Sequence, residues 1–109
     1  LFSDNDMPTN RARNVRHRRM SFEEYKAFLS ERLSVKVGAA SPYKLCDLKP
    51  ALPYAHADLV AGYDFVGFGD LDVIYGDIRA FYDDDRLSRY DVLSTHADRV
   101  SGHLCLRRQ

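Results

Sequence analysis

Hydrophobic residues recur at helical spacing between positions 22 and 33 of this sequence. The apolar positions that share one helical face are Phe22, Tyr25, Phe28, Leu29 and Leu33. Ser21 and Glu24, just before and within this stretch, have the spacing of a capping box, in which each residue satisfies a backbone N–H of the other. The pattern predicts a helix that starts after Ser21 and packs its apolar face on a sheet.

Proline and glycine divide the next part of the chain. A serine followed by proline at position 42 predicts a second helix over about 42–49, which Pro50 and Pro53 interrupt. A short helix over about 54–61 follows. Gly62 is expected to close it in the left-handed conformation that glycine adopts without steric cost.

Residues 63–78 are apolar and glycine-rich apart from four aspartates, which is typical of a buried strand that leads into a tight functional turn. The acidic run 83–85 is interpreted as the cap of a short helix, and further strands are predicted over 91–95 and 103–106. Helices and strands therefore alternate. This order predicts an α/β fold in a single domain that spans residues 1–109.

The sequence is predicted to begin inside one strand and to end inside another. The chain opens on Leu1-Phe2 before a polar turn, and it ends within the apolar stretch 104–108. We therefore expect a fold that is incomplete at both ends, and we expect the 109 residues alone to be inactive.

Composition and charge limit the partners. The chain has 45% hydrophobic and 29% charged residues, as ordinary globular proteins do. Its basic excess lies in the first 50 residues, largely in an arginine cluster at 11–19. Because no nucleic-acid recognition motif accompanies the cluster, a solvated face is the preferred interpretation and no nucleic acid partner is predicted.

Cysteine use and hydropathy indicate a cytoplasmic protein. Cys46 and Cys105 lie far apart without a CxxC spacing, which favours a reducing compartment. No stretch approaches the roughly 20 apolar residues that span a bilayer. We expect the protein to be located in the cytoplasm, either free or at the inner face of the membrane.

Asp70 and Asp72 are the strongest candidates for chemistry. They lie two positions apart, so an extended backbone would direct both side chains to the same side. Two carboxylates in so apolar a run would cost several kcal/mol unless a cation or dense hydrogen bonding compensates them. Oxygen ligands favour Mg²⁺ or Mn²⁺. The pair therefore predicts a metal site, and the alternative is two exposed aspartates in a turn.

Several blocks of this sequence resemble one family. They are residues 42–51 (PYKLCDLKPA), 63–65 (YDF), 70–78 (DLDVIYGDI), 102–104 (GHL) and the opening strand end 1–5 (LFSDN). Together they resemble a little-characterised bacterial family of GT-A-like glycosyltransferases. The resemblance implies a Rossmann-like sheet that binds a nucleotide-sugar donor, a glycan or lipid-linked acceptor, and a role in polysaccharide biosynthesis.

The resemblance also implies roles for particular residues. Asp72 would ligate a divalent metal that bridges the two donor phosphates, and Asp70 would contact the ribose or reach the metal through water. Asp47 matches a position beside the ribose or base, and Lys49 matches a phosphate contact or an ion pair with Asp47. The alternative for these two is a helix-bound aspartate and a surface lysine. His103, before an apolar strand, is a candidate for the sugar or the metal, with a satisfied loop histidine as the alternative.

Two other functions compete with this interpretation. Residues 70–74 (DLDVI) resemble the nucleophile motif of haloacid-dehalogenase-like phosphatases, in which the first aspartate attacks phosphorus. That motif continues with Gly-Thr, whereas Val73 and Ile74 follow here. The third candidate is a non-catalytic GT-A-like binding domain that keeps the fold and has lost the chemistry.

Overall fold

The computed structural model describes residues 1–7 and 9–109 of a mixed α/β fold. Contacts divide the chain into two compact units, Leu1–Leu45 and Cys46–Gln109. No helix in the described chain has both the length and the apolar character needed to cross a bilayer. The mixed α/β class agrees with the sequence, and the prediction of one domain over 1–109 stays a prediction.

The first unit contains a short parallel strand pair and one helix. Strand β1 (Phe2–Ser3) pairs with strand β2 (Arg18–Arg19), and helix α1 spans Phe22–Leu33. The Phe2 ring stacks on Tyr25 of α1, with 5.1 Å between ring centroids. Leu29, on the same apolar face, is fully buried. Helix α1 thus packs its predicted apolar face against the strand end, as expected.

The capping box of α1 is confirmed. The Ser21 hydroxyl accepts a hydrogen bond from the Glu24 amide at 3.3 Å, and the Ser21 amide donates to the Glu24 carboxylate at 2.7 Å. Hydrogen bonds from Ser21 hold the pKa of the Glu24 carboxyl below its usual value. Two backbone donors that a helix start leaves without partners are therefore satisfied.

Three short helical segments follow one another in the middle of the chain. A 3₁₀ helix spans Pro42–Ala51, and helices α2 (Leu52–Ala55) and α3 (Ala57–Val60) come after it. The 3₁₀ helix continues through Pro50 to Ala51, so the prediction that Pro50 interrupts this helix is wrong. Proline removes one donor, but its fixed φ suits a 3₁₀ turn. Gly62 has a φ of 88°, which confirms the left-handed position expected after α3.

The second unit is built on a three-stranded antiparallel sheet. Strand β5 (Leu104–Arg108) lies between β3 (Phe65–Gly69) and β4 (Val92–Ser94). Gly69 of β3 faces Leu104 of β5. Among the described strands, parallel pairing is confined to β1 and β2. The finer expectation, a Rossmann-like GT-A sheet, therefore stays a prediction.

Two capped helices connect β3 to β4. Helix α4 (Ile78–Phe81) starts at Asp77, whose carboxylate accepts from the Arg79 amide at 3.1 Å. Helix α5 (Asp84–Arg89) starts at Asp83, whose carboxylate accepts from the Arg86 amide at 2.9 Å. The prediction that the acidic run 83–85 caps a helix is confirmed.

Replacing Ser21 with alanine should lower the free energy of unfolding by about 1 kcal/mol, because the cap loses its side-chain acceptor. Chemical denaturation, monitored by circular dichroism, measures this difference. Ser41→Ala is the matched control, since Ser41 uses its backbone carbonyl, which alanine retains, to accept from the Lys44 amide. Equal losses in the two variants would contradict the assigned role of the Ser21 hydroxyl.

Candidate functional site

The site forms where strand β3 ends and strand β5 begins. Because Gly69 faces Leu104 in the antiparallel register, the next residues outward, Asp70 and His103, become neighbours. The Asp70 amide donates to the His103 carbonyl at 3.1 Å, which extends the pairing of β3 and β5 by one position. Residues that lie 33 positions apart in the sequence are therefore brought together by strand register alone.

Two cationic or protonatable side chains surround the Asp70 carboxylate. Lys49 Nζ binds Asp70 Oδ1 and also donates to the Gly102 carbonyl at 3.0 Å. His103 Nδ1 lies 2.5 Å from Asp70 Oδ2. The Asp70 side chain is 23% exposed, whereas that of His103 is 71% exposed. Both oxygens of a largely covered carboxylate are thus engaged, and His103 forms the solvent side of the cluster.

The cluster shifts the ionisation of its members. The hydrogen bond from Lys49, followed by that from His103, holds the pKa of Asp70 below its ordinary value of 3.8. The same hydrogen bond to Asp70 raises the pKa of Lys49 above 10.5. Each group stabilises the charged form of the other. At neutral pH the pair is therefore an ammonium ion beside a carboxylate.

Tyr75 completes the site and was not predicted. Its hydroxyl lies 2.5 Å from the Asp70 carbonyl and 3.1 Å from the His103 carbonyl, so it holds the two strand ends together. A Cβ atom at position 69 would clash with this hydroxyl and would lie 2.9 Å from the His103 carbonyl. Gly69 is therefore required by the close approach of Tyr75. An aromatic residue shortly after an aspartate-rich turn was the only sequence signal for it.

Ser101 supports the His103 side and was also missed. Its side chain is almost fully buried, and its hydroxyl accepts from the His103 amide at 3.2 Å. The Ser101 amide in turn donates to the Ser94 hydroxyl at 2.9 Å. The loop before β5 is therefore tied to the end of β4. Nothing in the local sequence distinguishes this serine from a solvent-exposed loop residue.

Asp72 lies apart from the Asp70 cluster. The backbone turns at Leu71 and Asp72, and Asp72 is exposed. Residues two positions apart share one side only where the backbone is extended, and the extended strand ends here at Gly69. Asp70 is thus a paired carboxylate, and Asp72 is an exposed one two residues further along the turn.

Asp47 lies on the 3₁₀ helix that also carries Lys49. Asp47 is exposed, whereas Lys49 is largely covered and forms an ion pair with Asp70. Of the five predicted site residues, the structure brings Lys49, Asp70 and His103 into direct contact. Asp47 and Asp72 are both exposed.

A metal ion would find only part of its ligand set in this site. Within the described residues, no group of three or more His, Cys, Asp or Glu side chains is placed to hold a metal. Mg²⁺ and Mn²⁺ commonly bind through one or two carboxylates and take the other ligands from water and substrate phosphates. Of the two aspartates, Asp72 is exposed and could supply one such carboxylate, whereas both carboxylate oxygens of Asp70 are engaged by Lys49 and His103.

Comparison with protein families gives one match. The chain belongs to the family of unknown function DUF6625, which matches over residues 1–109. Comparisons with curated proteins and with solved structures gave no match. Membership in DUF6625 fixes no activity, so the function of this member rests on the site itself.

In this DUF6625 member, Tyr75→Phe should loosen the strand end and lower the free energy of unfolding by about 1 kcal/mol, the usual contribution of one hydrogen bond. Hydrogen exchange of the Asp70 amide should become faster, because the His103 carbonyl that accepts from this amide also loses its hydrogen bond from the Tyr75 hydroxyl. Tyr63→Phe is the control, since the Tyr63 hydroxyl makes no hydrogen bond to any described residue. Unchanged exchange at Asp70 would contradict the assigned role.

The Lys49–Asp70 pair should stabilise the fold over a defined pH range. The lowered pKa of Asp70 means that its contribution is present above 3.8 and is lost as the pH falls through its folded value. The raised pKa of Lys49 means that its contribution is present below 10.5 and is lost as the pH rises through its folded value. The stability difference between wild type and Lys49→Met should be constant from about pH 4 to about pH 10 and shrink outside this range.

Thermal melts across this pH range measure the difference. Arg99→Met is the matched control, because Arg99 and Asp98 form an exposed pair at 3.1 Å, and exposed pairs contribute little. A difference that varies steadily between pH 5 and pH 9 would show that another group controls the site.

Proposed function

We propose that this chain carries the donor site of a metal-dependent glycosyltransferase. The enzyme would transfer a sugar from a nucleotide-sugar donor to a glycan or lipid-linked acceptor in the cytoplasm. The observation that carries the proposal is the junction of β3 and β5, where the Asp70 carboxylate contacts Lys49 and His103 and the exposed Asp72 lies on the adjoining turn. The resemblance of residues 42–51 and 70–78 to GT-A-like enzymes supports the same assignment. The Rossmann-like sheet that this resemblance implies is part of the proposal.

The position of the carboxylates suits a donor site. Asp70 follows β3 directly and lies beside the start of β5. Lys49 and Tyr75 fix the backbone and side chain of Asp70 before any ligand arrives. Asp72, exposed on the adjoining turn, is accessible to a ligand from solvent. The turn thus combines a rigid base with an accessible carboxylate.

The charges suit a nucleoside diphosphate. Lys49 carries a positive charge beside the turn, and the exposed His103 imidazole can carry one when protonated. Asp72, with Asp70, would hold Mn²⁺ or Mg²⁺, which when bound neutralises charge on the leaving diphosphate. Lys49, held by its ion pair with Asp70, would lie next to the same phosphates, and Asp47 would contact the ribose or base. Positioning of the donor by these side chains would supply much of the remaining rate enhancement.

Manganese together with uridine or guanosine diphosphate should raise the melting temperature of the protein, and Asp72→Asn should remove most of this shift. The substitution deletes one anionic ligand with almost no change in volume. A tenfold loss of affinity corresponds to about 1.4 kcal/mol less stabilisation. Asp70→Asn should weaken binding less, because Asp70 is already paired with Lys49 and His103.

Two controls make this experiment specific. Asp64→Asn makes the same chemical change just before β3, at the end opposite Asp70, and should leave the shift intact. A nucleoside monophosphate with manganese should give a smaller shift, because it lacks the second phosphate. Equal shifts for wild type, Asp72→Asn and Asp64→Asn would refute the donor-site proposal.

A further inference from the structure

A large apolar groove lies beside the candidate donor site. Its volume is about 1090 Å³, and its lining includes Ile74, Tyr75, Phe81, Tyr90, Val92 and Val100. Pockets for small molecules usually measure about 300–1000 Å³ and are lined mainly by apolar and aromatic side chains. The groove therefore has the size and the surface of a small-molecule site. Of the residues predicted for the donor site, only His103 contributes to its lining.

The apolar side chains of the groove are unusually exposed. Ile74 is 99% exposed and Phe81 is 70% exposed, and half or more of Tyr90, Val92 and Val100 is also exposed. Leaving such side chains in water has a free-energy cost that burial against a ligand would recover. Contiguous exposed apolar surface commonly marks a binding site. This surface is concave, which suits the apolar part of a small molecule.

The charges of the lining argue against an anionic ligand. The groove contains two arginines, and each is already paired with a nearby aspartate. Arg86 lies 2.6 Å from the Asp83 carboxylate, and Arg99 lies 3.1 Å from that of Asp98. Neither guanidinium therefore brings an uncompensated charge into the groove. A neutral group with a large apolar surface fits this lining best.

The groove is continuous with the donor site. Tyr75 and His103 line the groove, and both also contact Asp70, through its carbonyl and its carboxylate. A molecule in the groove would therefore place one end next to the Asp70 turn. That end would meet hydrogen-bonding groups, whereas the rest would meet Ile74, Phe81 and their neighbours.

We propose that the groove binds the apolar part of an amphipathic glycosyl acceptor and directs its hydroxyl-bearing end toward Tyr75 and His103. The class of ligand, a neutral amphiphile, follows from the groove itself. Its role as an acceptor rests on the glycosyltransferase function proposed above. The occupant is a small molecule, not a second copy of the chain.

Alkyl β-glucosides, kept below their micelle concentrations, test this proposal in the absence of metal and nucleotide. Octyl glucoside should bind saturably and about fourfold more tightly than hexyl glucoside. This ratio assumes about twofold per methylene, below the roughly fourfold that complete burial gives. Amide chemical shifts in a ¹⁵N NMR titration report both the affinity and the location, and they should change around Ile74, Tyr90 and Val92.

Two groove variants and one matched control locate the site. Ile74→Ser and Tyr90→Ser should each weaken octyl glucoside binding by threefold or more. Tyr54→Ser should leave it unchanged, because Tyr54 is also an exposed tyrosine but does not line the groove. All three side chains are more than half exposed, so their replacement opens no internal cavity. Unchanged spectra elsewhere in the protein confirm that the fold is kept.

Three outcomes would overturn the proposal: equal affinities for hexyl and octyl glucoside, binding that Ile74→Ser and Tyr90→Ser do not weaken, or a dimer in sedimentation equilibrium that Tyr90→Ser dissolves. Such a dimer would show that a second copy fills the groove.

Because the alkyl glucoside titration omits metal and nucleotide, its result is independent of the manganese experiment. Binding of the amphiphile without any manganese and diphosphate effect would keep the groove as an amphiphile site and refute only the donor site.

Discussion

The negative charge of Asp70 has to be balanced inside the protein, since less than a quarter of its side chain reaches solvent. Lys49 provides the balancing charge from the 3₁₀ helix, and His103 adds a hydrogen bond from the start of β5. This requirement joins three segments that are far apart in sequence. The same arrangement brings Tyr75 against the strand ends and leaves no room for a side chain at Gly69. The start of the turn thus combines one compensated charge with close packing of Tyr75 against the strand ends.

The rigid turn separates two surfaces with different chemistry. On one, the exposed Asp72 carboxylate follows the Lys49–Asp70 pair by two residues along the turn, and this is the surface proposed for the metal and the diphosphate. On the other, Ile74 and Phe81 are exposed in a groove whose arginines are already neutralised by aspartates. Tyr75 and His103 belong to both surfaces. The proposed donor and acceptor sites therefore adjoin at these two residues.

Features set by local spacing were predictable from the sequence, and features set by long-range pairing were not. The caps at Ser21, Asp77 and Asp83 depend on bonds to amides two or three residues ahead, so sequence spacing reveals them. Lys49, Asp70 and His103 were chosen as separate candidates, and only the antiparallel register and the fold of the 3₁₀ helix bring them together. Strand β2, Tyr75 and Ser101 were missed because their partners lie elsewhere in the chain. Asp72 was expected beside Asp70, but the backbone turns between them.

Paramagnetic line broadening tests whether the Asp70–Asp72 turn binds a metal–diphosphate complex. Mn²⁺ at a low fraction of the protein concentration broadens the amide signals of residues near its binding site. With a nucleoside diphosphate present, broadening should be selective at residues 70–72 and weak at the acidic helix cap 83–85. Broadening centred on 83–85, or a pattern that is identical with and without the diphosphate, would contradict it.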